Sequence, residues 1–366
     1  MRAVRLGAAV LLLLTLSGCG GATNPIDDRA LVLGVAADAA GKQGINYTME
    51  IPSPQSLSGS SGGNQFYTVS AASHSFDAAI SQMENKTSRD IYLGQMHVLV
   101  MALDLPSNLR DRMLAEEQRI GETDHTEWLV LADGQAARVL QPPPLQERLP
   151  AFFYSTHFDC RGCQAVDYGV PAWRAEADLA SPGGTAVLPV ARVEDGSIAI
   201  DRVAAVRPGQ PPHVFDQAET VGVMTLRGKL TKGSFIFPTP FGNAAVRSMR
   251  AKVSRQVAIG PGGRLHIRVD VRYSGLVSQS PDRVVHLTRA ALSVAERSCA
   301  QALTRRLMLV VHHAQKAGVD AFQFAQALYL KDPESYRRLG DFSQALRRAD
   351  IAIRVEVHLP EQGIVV

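Results

Sequence analysis

The chain has 366 residues, of which 46% are hydrophobic and 20% charged, with a formal net charge of +3 at pH 7 and four cysteines. This near-neutral balance gives no electrostatic case for binding nucleic acid, which depends on clustered basic residues. Because single hydrophobic cores usually stop growing near about 250 to 300 residues, the length predicts more than one domain.

The N-terminus carries the pattern of a bacterial lipoprotein signal. Arg2 and Arg5 precede an apolar run from Leu6 to Leu16, and Ser and Gly then lead directly to Cys19. The run is shorter than the roughly 20 residues of a bilayer-spanning helix, which favours a cleaved signal over an uncleaved anchor. We therefore expect residues 1–18 to be removed and Cys19 to carry a diacylglycerol, with or without a further N-acyl chain such as palmitate.

This signal predicts a location on the outer face of a bacterial membrane. Removing residues 1–18 leaves 366 − 18 = 348 residues and takes away two arginines, so the net charge falls from +3 to +1. Each buried methylene of an acyl chain contributes about 0.8 kcal/mol, and two chains suffice for stable anchoring. No later apolar segment approaches spanning length, so we expect the lipid to hold the chain to the membrane.

Three further cysteines lie at Cys160, Cys163 and Cys299. The first two form a C-x-x-C pair, but a zinc site of this kind needs a second pair of ligands, and only His157 and Asp159 are conceivable ones. In an exported protein, the pair is more simply interpreted as a local disulfide, or as two thiols without a functional role, than as a metal site. The odd cysteine, Cys299, is predicted to be a free thiol buried in a helix. We expect no metal site and no cofactor other than the lipid.

After a tether at residues 19–27, residues 28–144 are predicted to form an N-terminal α/β domain. Short apolar strands alternate with amphipathic helices, a pattern that favours a mixed sheet covered by helices. The Ser/Gly-rich stretch at 56–63 is typical of a surface loop. The predicted strands are 31–37, 45–51, 65–71, 91–102 and 127–132, and the predicted helices are 75–84, 107–120 and 133–140.

Residues 145–245 are predicted to form a middle domain, and residues 246–366 a C-terminal α/β domain. The expected fold class is therefore α/β (α+β) and multi-domain, with mixed sheets each packed by helices and a long helix in the C-terminal domain. In the middle domain we predict helices at 145–154 and 172–179 and strands at 186–193, 197–203 and 221–226. In the C-terminal domain we predict strands at 247–259, 265–277 and 351–358, helices at 281–316 and 321–330 with Gly318 ending the first, and a turn at 333–338.

The sequence offers little support for catalysis. Gly59 to Gly63 matches G-x-S-x-G, but this motif requires a strand leading in and a helix leading out, whereas here it lies in a Ser/Gly-rich loop. His97 lies alone in an apolar strand, as a core histidine does. His312 and His313 are adjacent and point about 100 degrees apart on a helix, so they cannot hold one metal ion together. We expect no enzymatic activity.

Three segments of the chain carry a family resemblance. The first is the predicted lipid cysteine followed by Asp28 and Arg29 and a strand that ends at Asp38. The second is the segment 93–100, which begins Leu-Gly-Gln and includes Gly94. The third, which is the most specific, comprises in order Gln315, Gly318, Asp320, Phe322, Phe324, Tyr336, Phe342 and the final strand at 353–357.

These segments resemble the Ger(x)C family, the lipoprotein C subunits of nutrient germinant receptors in bacterial endospores. The chain departs from the family's pattern at Gly20 and Tyr336, where a Trp is common, and at 214–237, which looks shortened where members carry a helix. The resemblance implies a three-domain, non-catalytic protein on the outer surface of the spore inner membrane. Its implied partners are an integral membrane A subunit and a transporter-like B subunit.

A solute-binding lipoprotein of a membrane transporter is the alternative function. Such a protein would need two similar lobes with a ligand cleft between them. The two halves of this sequence show no internal duplication, which favours the receptor subunit.

Overall fold

The computed structural model describes residues 28–53, 65–141, 147–160, 168–239, 242–278 and 288–360. Cys19, the G-x-S-x-G match and Cys163 lie outside these ranges. The strands are β1 Arg29–Leu31, β2 Gly34–Ala39, β3 Ile45–Pro52, β4 Phe66–Ser73, β5 Asp90–Tyr92, β6 Val98–Ala102, β7 Trp128–Ala132, β8 Ala186–Glu194, β9 Ser197–Val206, β10 His213–Phe215, β11 Gly233–Thr239, β12 Gly242–Ile259, β13 Leu265–Ser278 and β14 Asp350–His358. The α-helices are α1 Phe76–Glu84, α2 Ser107–Glu117, α3 Pro150–Asp159, α4 Ala172–Ala180, α5 Gln217–Leu226, α6 Arg289–Ala317, α7 Phe324–Lys331, α8 Pro333–Leu339 and α9 Phe342–Arg347.

An eight-stranded mixed sheet organises the N-terminal part of the chain. Its strand order is β10-β9-β8-β7-β6-β2-β3-β4. The central strands β8, β7, β6 and β2 are parallel to one another, and the outer pairings are antiparallel. All five residues of β6 are buried, because helices or connecting segments cover both faces of the parallel centre. We call this sheet with its helices the N-terminal unit.

A four-stranded sheet in the order β11-β12-β13-β14 organises the C-terminal part. The long helix α6 packs on one face through an apolar stripe that includes Leu303, Leu307 and Val310. The other face of β14 is open, since exposed and half-buried residues alternate along that strand. We call this sheet with its helices the C-terminal unit, and the predicted fold class of mixed sheets packed by helices is confirmed.

Capping residues fix the start of α1 and the end of α6. The sequence predicts Gly318 at the second end, and it offers both Ser73 and Ser75 as caps at the first. The hydroxyl of Ser75 accepts a hydrogen bond from the backbone N–H of Ala78 at the start of α1. Gly318 ends α6 in the left-handed conformation, with φ 72° and ψ 30°. α1 therefore begins, and α6 ends, where a local residue satisfies backbone groups that the helix leaves unpaired.

The predicted strand at 221–226 is wrong, because these residues belong to helix α5. The Asp216 carboxylate accepts from the backbone N–H of Glu219 at 2.7 Å, and Glu219 accepts from the backbone N–H of Asp216 at 3.1 Å. This capping box starts a helix, and Gly222 lets it pack closely on α6, since an added Cβ would lie 2.8 Å from a methyl of Val310. A short apolar run fits a buried helix as well as a strand.

Other elements also differ from the prediction. The helix predicted at 145–154 is α3 at Pro150–Asp159, and the helix predicted at 133–140 is a short 3-10 helix at Ala136–Leu140. The predicted strand 91–102 is two strands, β5 and β6, interrupted near Gly94, where an added Cβ would lie 2.9 Å from the carbonyl oxygen of Glu122. The strand predicted at 31–37 is likewise divided into β1 and β2. The turn predicted at 333–338 is the helix α8, which Asp332 caps through the N–H of Ser335.

Residues 145–245 contribute to both units. Strands β8 to β10 extend the eight-stranded sheet, whereas β11 pairs with β12 in the other sheet. The domain boundaries themselves stay a prediction. Within the described ranges, no helix combines the length and the apolar character that crossing a membrane requires.

Candidate functional site

The third family-like segment lies where the two units meet. Helix α4 of the N-terminal unit faces the turn between α6 and α7 and the C-terminal end of α5. The side chains that connect these elements are Asp178, Arg227, Asp320 and Gln323, and we call them the junction.

Asp320 organises the turn between α6 and α7. It is 5% exposed, and its carboxylate accepts hydrogen bonds from the backbone N–H groups of Phe322, Phe324 and Ala325 at 3.3, 3.0 and 2.8 Å. Burial raises the pKa of this carboxyl, whereas the three N–H groups and the nearby Arg227 lower it. Both carboxylate oxygens are occupied by backbone donors, so Asp320 stabilises the start of α7.

Arg227 connects this turn to the N-terminal unit. Its Nη2 lies 2.9 Å from Oδ2 of Asp178, and its Nη1 donates to the carbonyl oxygen of Ala321 at 3.1 Å. The exposed fractions of the two charged side chains are 10% for Arg227 and 5% for Asp178. Gln323 donates to the other oxygen of Asp178 at 3.3 Å. Asp178 also pairs with Arg174 one turn away on α4 at 3.3 Å, but that side chain is 47% exposed, so losing Arg227 would leave the buried carboxylate with only a solvated cation.

Two more hydrogen bonds join the units near the junction. The backbone N–H of Gly183, which follows α4, donates to the hydroxyl of Tyr336 at 3.1 Å. The guanidinium of Arg207, which follows β9, donates to the carbonyl oxygen of Gly318 at 3.2 Å. These contacts fix the orientation of the two units through family-like residues. Because the carboxylates at the junction already bind donors, this arrangement supports rigid connection rather than acid or base chemistry.

A second group of titratable side chains lies inside the N-terminal unit. Glu117 at the end of α2, His125 and Glu127 in the following loop, and Glu176 on α4 converge, and we call them the carboxyl cluster. Nδ1 of His125 lies 3.1 Å from Oε1 of Glu117 and 3.8 Å from Oε1 of Glu176. The hydroxyl of Thr123 lies 3.5 Å from Oε1 of Glu117.

Burial dominates the electrostatics of the carboxyl cluster. It raises the pKa of Glu127 to about 8, with the neighbouring Glu117 carboxyl adding to the effect. Burial also raises the pKa values of Glu117 and Glu176. Several carboxyl groups therefore share one poorly solvated space.

A third buried carboxyl group belongs to Glu50 on β3. Glu50 is fully buried, and its Oε2 accepts from the backbone N–H of Ala151 at 3.0 Å in the first turn of α3. The residue before α3, Leu149, provides no side-chain cap, so Glu50 serves that role from a distant strand. Burial raises the pKa of Glu50 to about 8, against the opposing effect of the Ala151 N–H.

Two of the three histidines discussed in the sequence analysis, His97 and His313, contact a side chain of another element. Nδ1 of His97 lies 2.7 Å from the hydroxyl of Ser155, and burial lowers the pKa of this imidazole. His312 is exposed on α6. His313 is 45% exposed and contacts the carboxylate of Glu219 at 2.5 Å.

The comparisons with known proteins agree with this architecture. Residues 22–193 match the family model described as the spore germination protein N-terminal domain, and residues 212–363 match the model described as spore germination B3/GerAC like, C-terminal. The chain belongs to the Ger(x)C family of spore germination proteins. The predicted family resemblance is thereby confirmed, and no curated protein matches the chain.

The fold is also that of a solved structure. The crystal structure of the GerBC protein has a TM-score of 0.57 to this chain at 15% sequence identity, covering 90% of this chain and 97% of that chain. At this identity the likeness shows a shared fold. It extends across both units of this Ger(x)C protein.

The remaining predicted Ger(x)C-like residues have structural positions. Arg29 on β1 stacks over the ring of Tyr92 with its Cζ 4.4 Å from the ring centroid, while Asp28 is exposed beside it. Gln315 donates to the carbonyl oxygens of Leu346 and Ala349 at 3.0 and 2.8 Å. Phe322 and Phe324 are buried with ring centroids 5.3 Å apart, and Tyr336 packs against Phe342.

Two of the four cysteines, Cys160 and Cys299, lie among the described residues. Cys299 is a free, buried thiol on α6, as expected. Cys160 follows α3 and is disulfide-bonded. Its predicted pairing with Cys163 falls partly outside the described residues and stays a prediction.

Sequence reasoning missed the buried charged residues Asp178, Arg227 and Glu50 and their partners. Asp178 and Arg227 are 49 residues apart in sequence, and Glu50 and Ala151 are 101 apart. A signal for Glu50 existed, since a charged residue within the otherwise apolar end of a strand requires a buried partner. No local spacing indicates which residue that partner is.

Proposed function

We propose that this chain is the lipid-anchored, non-enzymatic C subunit of a nutrient germinant receptor. In this proposal it acts in spore germination by assembling with the integral membrane A and B subunits. The observation that carries the proposal is the order of the two family matches, at residues 22–193 and 212–363, which together span nearly all of the chain after the predicted signal.

The anchoring is supported by the position of Cys19. The first family match begins at residue 22, directly after the predicted lipid-modified cysteine. Residues 19–27 would then form a short tether between the lipid and β1, which begins at Arg29. A tether of nine residues spans at most roughly 30 Å when extended, which would keep the N-terminal unit close to the spore inner membrane.

The non-enzymatic role is supported by how the buried charged groups are used. Asp320 binds three backbone N–H groups, and Asp178 binds Arg227 and Gln323. A general acid or base needs a carboxyl group that faces a substrate and exchanges a proton with it. At the junction these groups instead hold the two units together, which supports a structural use of the buried charges there.

The alternative of a solute-binding lipoprotein has less support. That class would need two similar lobes, whereas the described units are an eight-stranded mixed sheet and a four-stranded sheet with one long helix. The different strand orders give no pair of matching lobes within the described residues.

Assembly is tested by copurification from spore membranes. We expect a tagged chain to copurify with integral membrane A and B subunits after mild detergent extraction. Cys19→Ala is the informative variant, because it should reduce the recovery of these subunits by removing the anchor. Recovery of a transporter's permease subunits instead would contradict the proposal.

A further inference from the structure

The carboxyl cluster has an arrangement that the junction and Glu50 do not have. One ligand atom from each of Glu117, His125 and Glu127 lies within 4.8 Å of the corresponding atom of the other two. Glu117 and Glu127 are 4% and 2% exposed. Among the described residues, no Lys or Arg forms an ion pair with either carboxylate.

Three elements place these side chains around one point. Glu117 lies in the last turn of α2, and Glu176 lies in the middle of α4. The intervening loop is attached to the first turn of α4, because the N–H groups of Ala172 and Trp173 donate to the carbonyl oxygens of Glu127 and His125, both at 2.9 Å. The loop is thus held with its side chains facing Glu117 and Glu176.

The backbone at His125 is bent to make this possible. His125 has φ 53°, in the left-handed region that a residue with a side chain rarely adopts. Such strain persists only where the surrounding structure enforces it, and it often accompanies a binding site.

The unpaired atoms of the cluster point to a missing positive charge. Oε1 of Glu127 is buried and has no hydrogen-bond partner, and Oε1 of Glu176 has only the ion-pair contact with Nδ1 of His125 at 3.8 Å. Two ionised carboxylates cannot donate to each other, since each has only acceptor atoms. A proton shared between the carboxyl groups, a protonated His125 or a bound cation would balance them, and the three differ in what metal addition does.

We propose that the carboxyl cluster binds one divalent transition-metal ion of the Zn²⁺ type through Glu117, His125 and Glu127, with the Glu176 carboxylate beside His125 on the more exposed side. Zinc bonds to His nitrogen and carboxylate oxygen at about 2.0 to 2.2 Å, so tetrahedral ligand atoms lie roughly 3.3 to 3.5 Å apart. The 3.1 Å separation between Nδ1 of His125 and Oε1 of Glu117 is close to this value, and a carboxylate oxygen of Glu127 lies within 4.8 Å of both ligands.

The ligand types also favour this class of metal. One imidazole with carboxylates suits Zn²⁺ and Mn²⁺, whereas Mg²⁺ prefers oxygen ligands and retained water. On binding, Nδ1 of His125 releases any proton it holds to solvent, and the carboxylates bind in their ionised form. The side chains of His125 and Glu176 are 27% and 25% exposed, which gives the ion a route from the surface.

The proposed ion would have a structural role. It would connect α2, the loop and α4, and α4 also carries Asp178 of the junction. It would therefore stabilise the side of the N-terminal unit that faces the C-terminal unit. This inference is independent of the proposed receptor function, and it departs from the expectation of no metal that the sequence alone supports.

The test is metal retention by the purified full-length chain. The protein is treated with a chelator, dialysed against equimolar Zn²⁺ at pH 7.5 and then against metal-free buffer, and its zinc content is measured by mass spectrometry. We expect one Zn²⁺ per chain for the parent. Glu127→Gln keeps the shape of the side chain but weakens the ligand, so affinity measured by chelator competition should fall more than tenfold.

Asp124→Asn is the matched control, because Asp124 is an exposed carboxylate in the same loop, next to His125. It should retain the parent's affinity. Glu176→Gln is a second variant at a less buried position, to be used if Glu127→Gln does not fold. It should also weaken metal binding. Titration with Co²⁺ provides an independent reading, since the parent should show the intense visible bands of tetrahedral Co²⁺ and Glu127→Gln should lose them.

Three results would overturn the proposal. The parent could retain no zinc above the buffer level, in which case the carboxyl groups share a proton instead. Glu127→Gln and Glu176→Gln could both bind as tightly as the parent, which would place the metal elsewhere. The Co²⁺ bands could also be unchanged in these variants.

Discussion

The buried Glu50 makes the stability of the N-terminal unit depend on pH. Its pKa in the folded protein is about 8, against an ordinary value of 4.5. A carboxyl group whose pKa is raised by folding makes its full contribution to stability at pH values where it is protonated in both the folded and the unfolded protein. That contribution is lost as the pH rises from the unfolded pKa through the folded one.

The magnitude follows from the interval between the two pKa values. At about 1.4 kcal/mol for each pH unit, the interval from 4.5 to 8 amounts to about 5 kcal/mol. This is a large fraction of the roughly 5 to 15 kcal/mol by which domains are stable. Glu50→Gln removes the ionisation while keeping an oxygen that can accept from Ala151.

The assay is urea unfolding of the parent and Glu50→Gln at intervals from pH 4.5 to 9. We expect the difference between their free energies of unfolding to shift by several kcal/mol in favour of Glu50→Gln as the pH rises. Taking the difference cancels the other groups that titrate in this range. Glu84→Gln, at an exposed carboxylate at the end of α1, is the control and should follow the parent. A difference that does not change with pH would refute the reasoning.

The remaining predictions concern the junction, the helix cap and the anchor. Arg227→Met should lower the free energy of unfolding by about 2 to 4 kcal/mol in urea melts, because it leaves the buried Asp178 carboxylate with only the half-exposed Arg174, at 3.3 Å, as a cation. Arg354→Ala at an exposed ion pair should cost at most about 1 kcal/mol, and equal effects would contradict the importance of the junction. Gly318→Ala should lower the thermal midpoint by an amount equivalent to about 1 kcal/mol or more, because a side chain is strained at φ 72°, whereas Gly121→Ala in open space should not. Cys19→Ala should leave an unprocessed precursor that incorporates no labelled palmitate, and continued maturation with lipid labelling would show that the predicted signal is wrong.

Local chemistry made part of the fold predictable from sequence. Gly318 was identifiable as the end of α6, and the cap of α1 could be narrowed to Ser73 or Ser75, because such residues act on backbone groups within a few positions. The alternation of apolar and polar residues likewise predicted β3 and β13 close to their observed ends. Residues 221–226 were misassigned because a short apolar run does not distinguish a buried strand from a buried helix.

The candidate sites depend on contacts between residues distant in sequence, which no local pattern encodes. The Ger(x)C resemblance identified Asp320 and Gly318, but it gave no indication that Arg227 joins this turn to α4. The carboxyl cluster similarly unites Glu117 and Glu176, which belong to two helices separated by β7 and α3. Only the packing of α4 beside the loop brings these carboxyl groups together.

The central claim is that this chain serves a nutrient germinant receptor, and its most direct test is the germination of spores that lack the gene. The account predicts that these spores lose the response to one set of nutrients while they still germinate through other receptors, and that the parent gene restores the response. If every nutrient response is intact in the deletion strain but uptake of a solute is abolished, the receptor account is contradicted and the transporter alternative is correct.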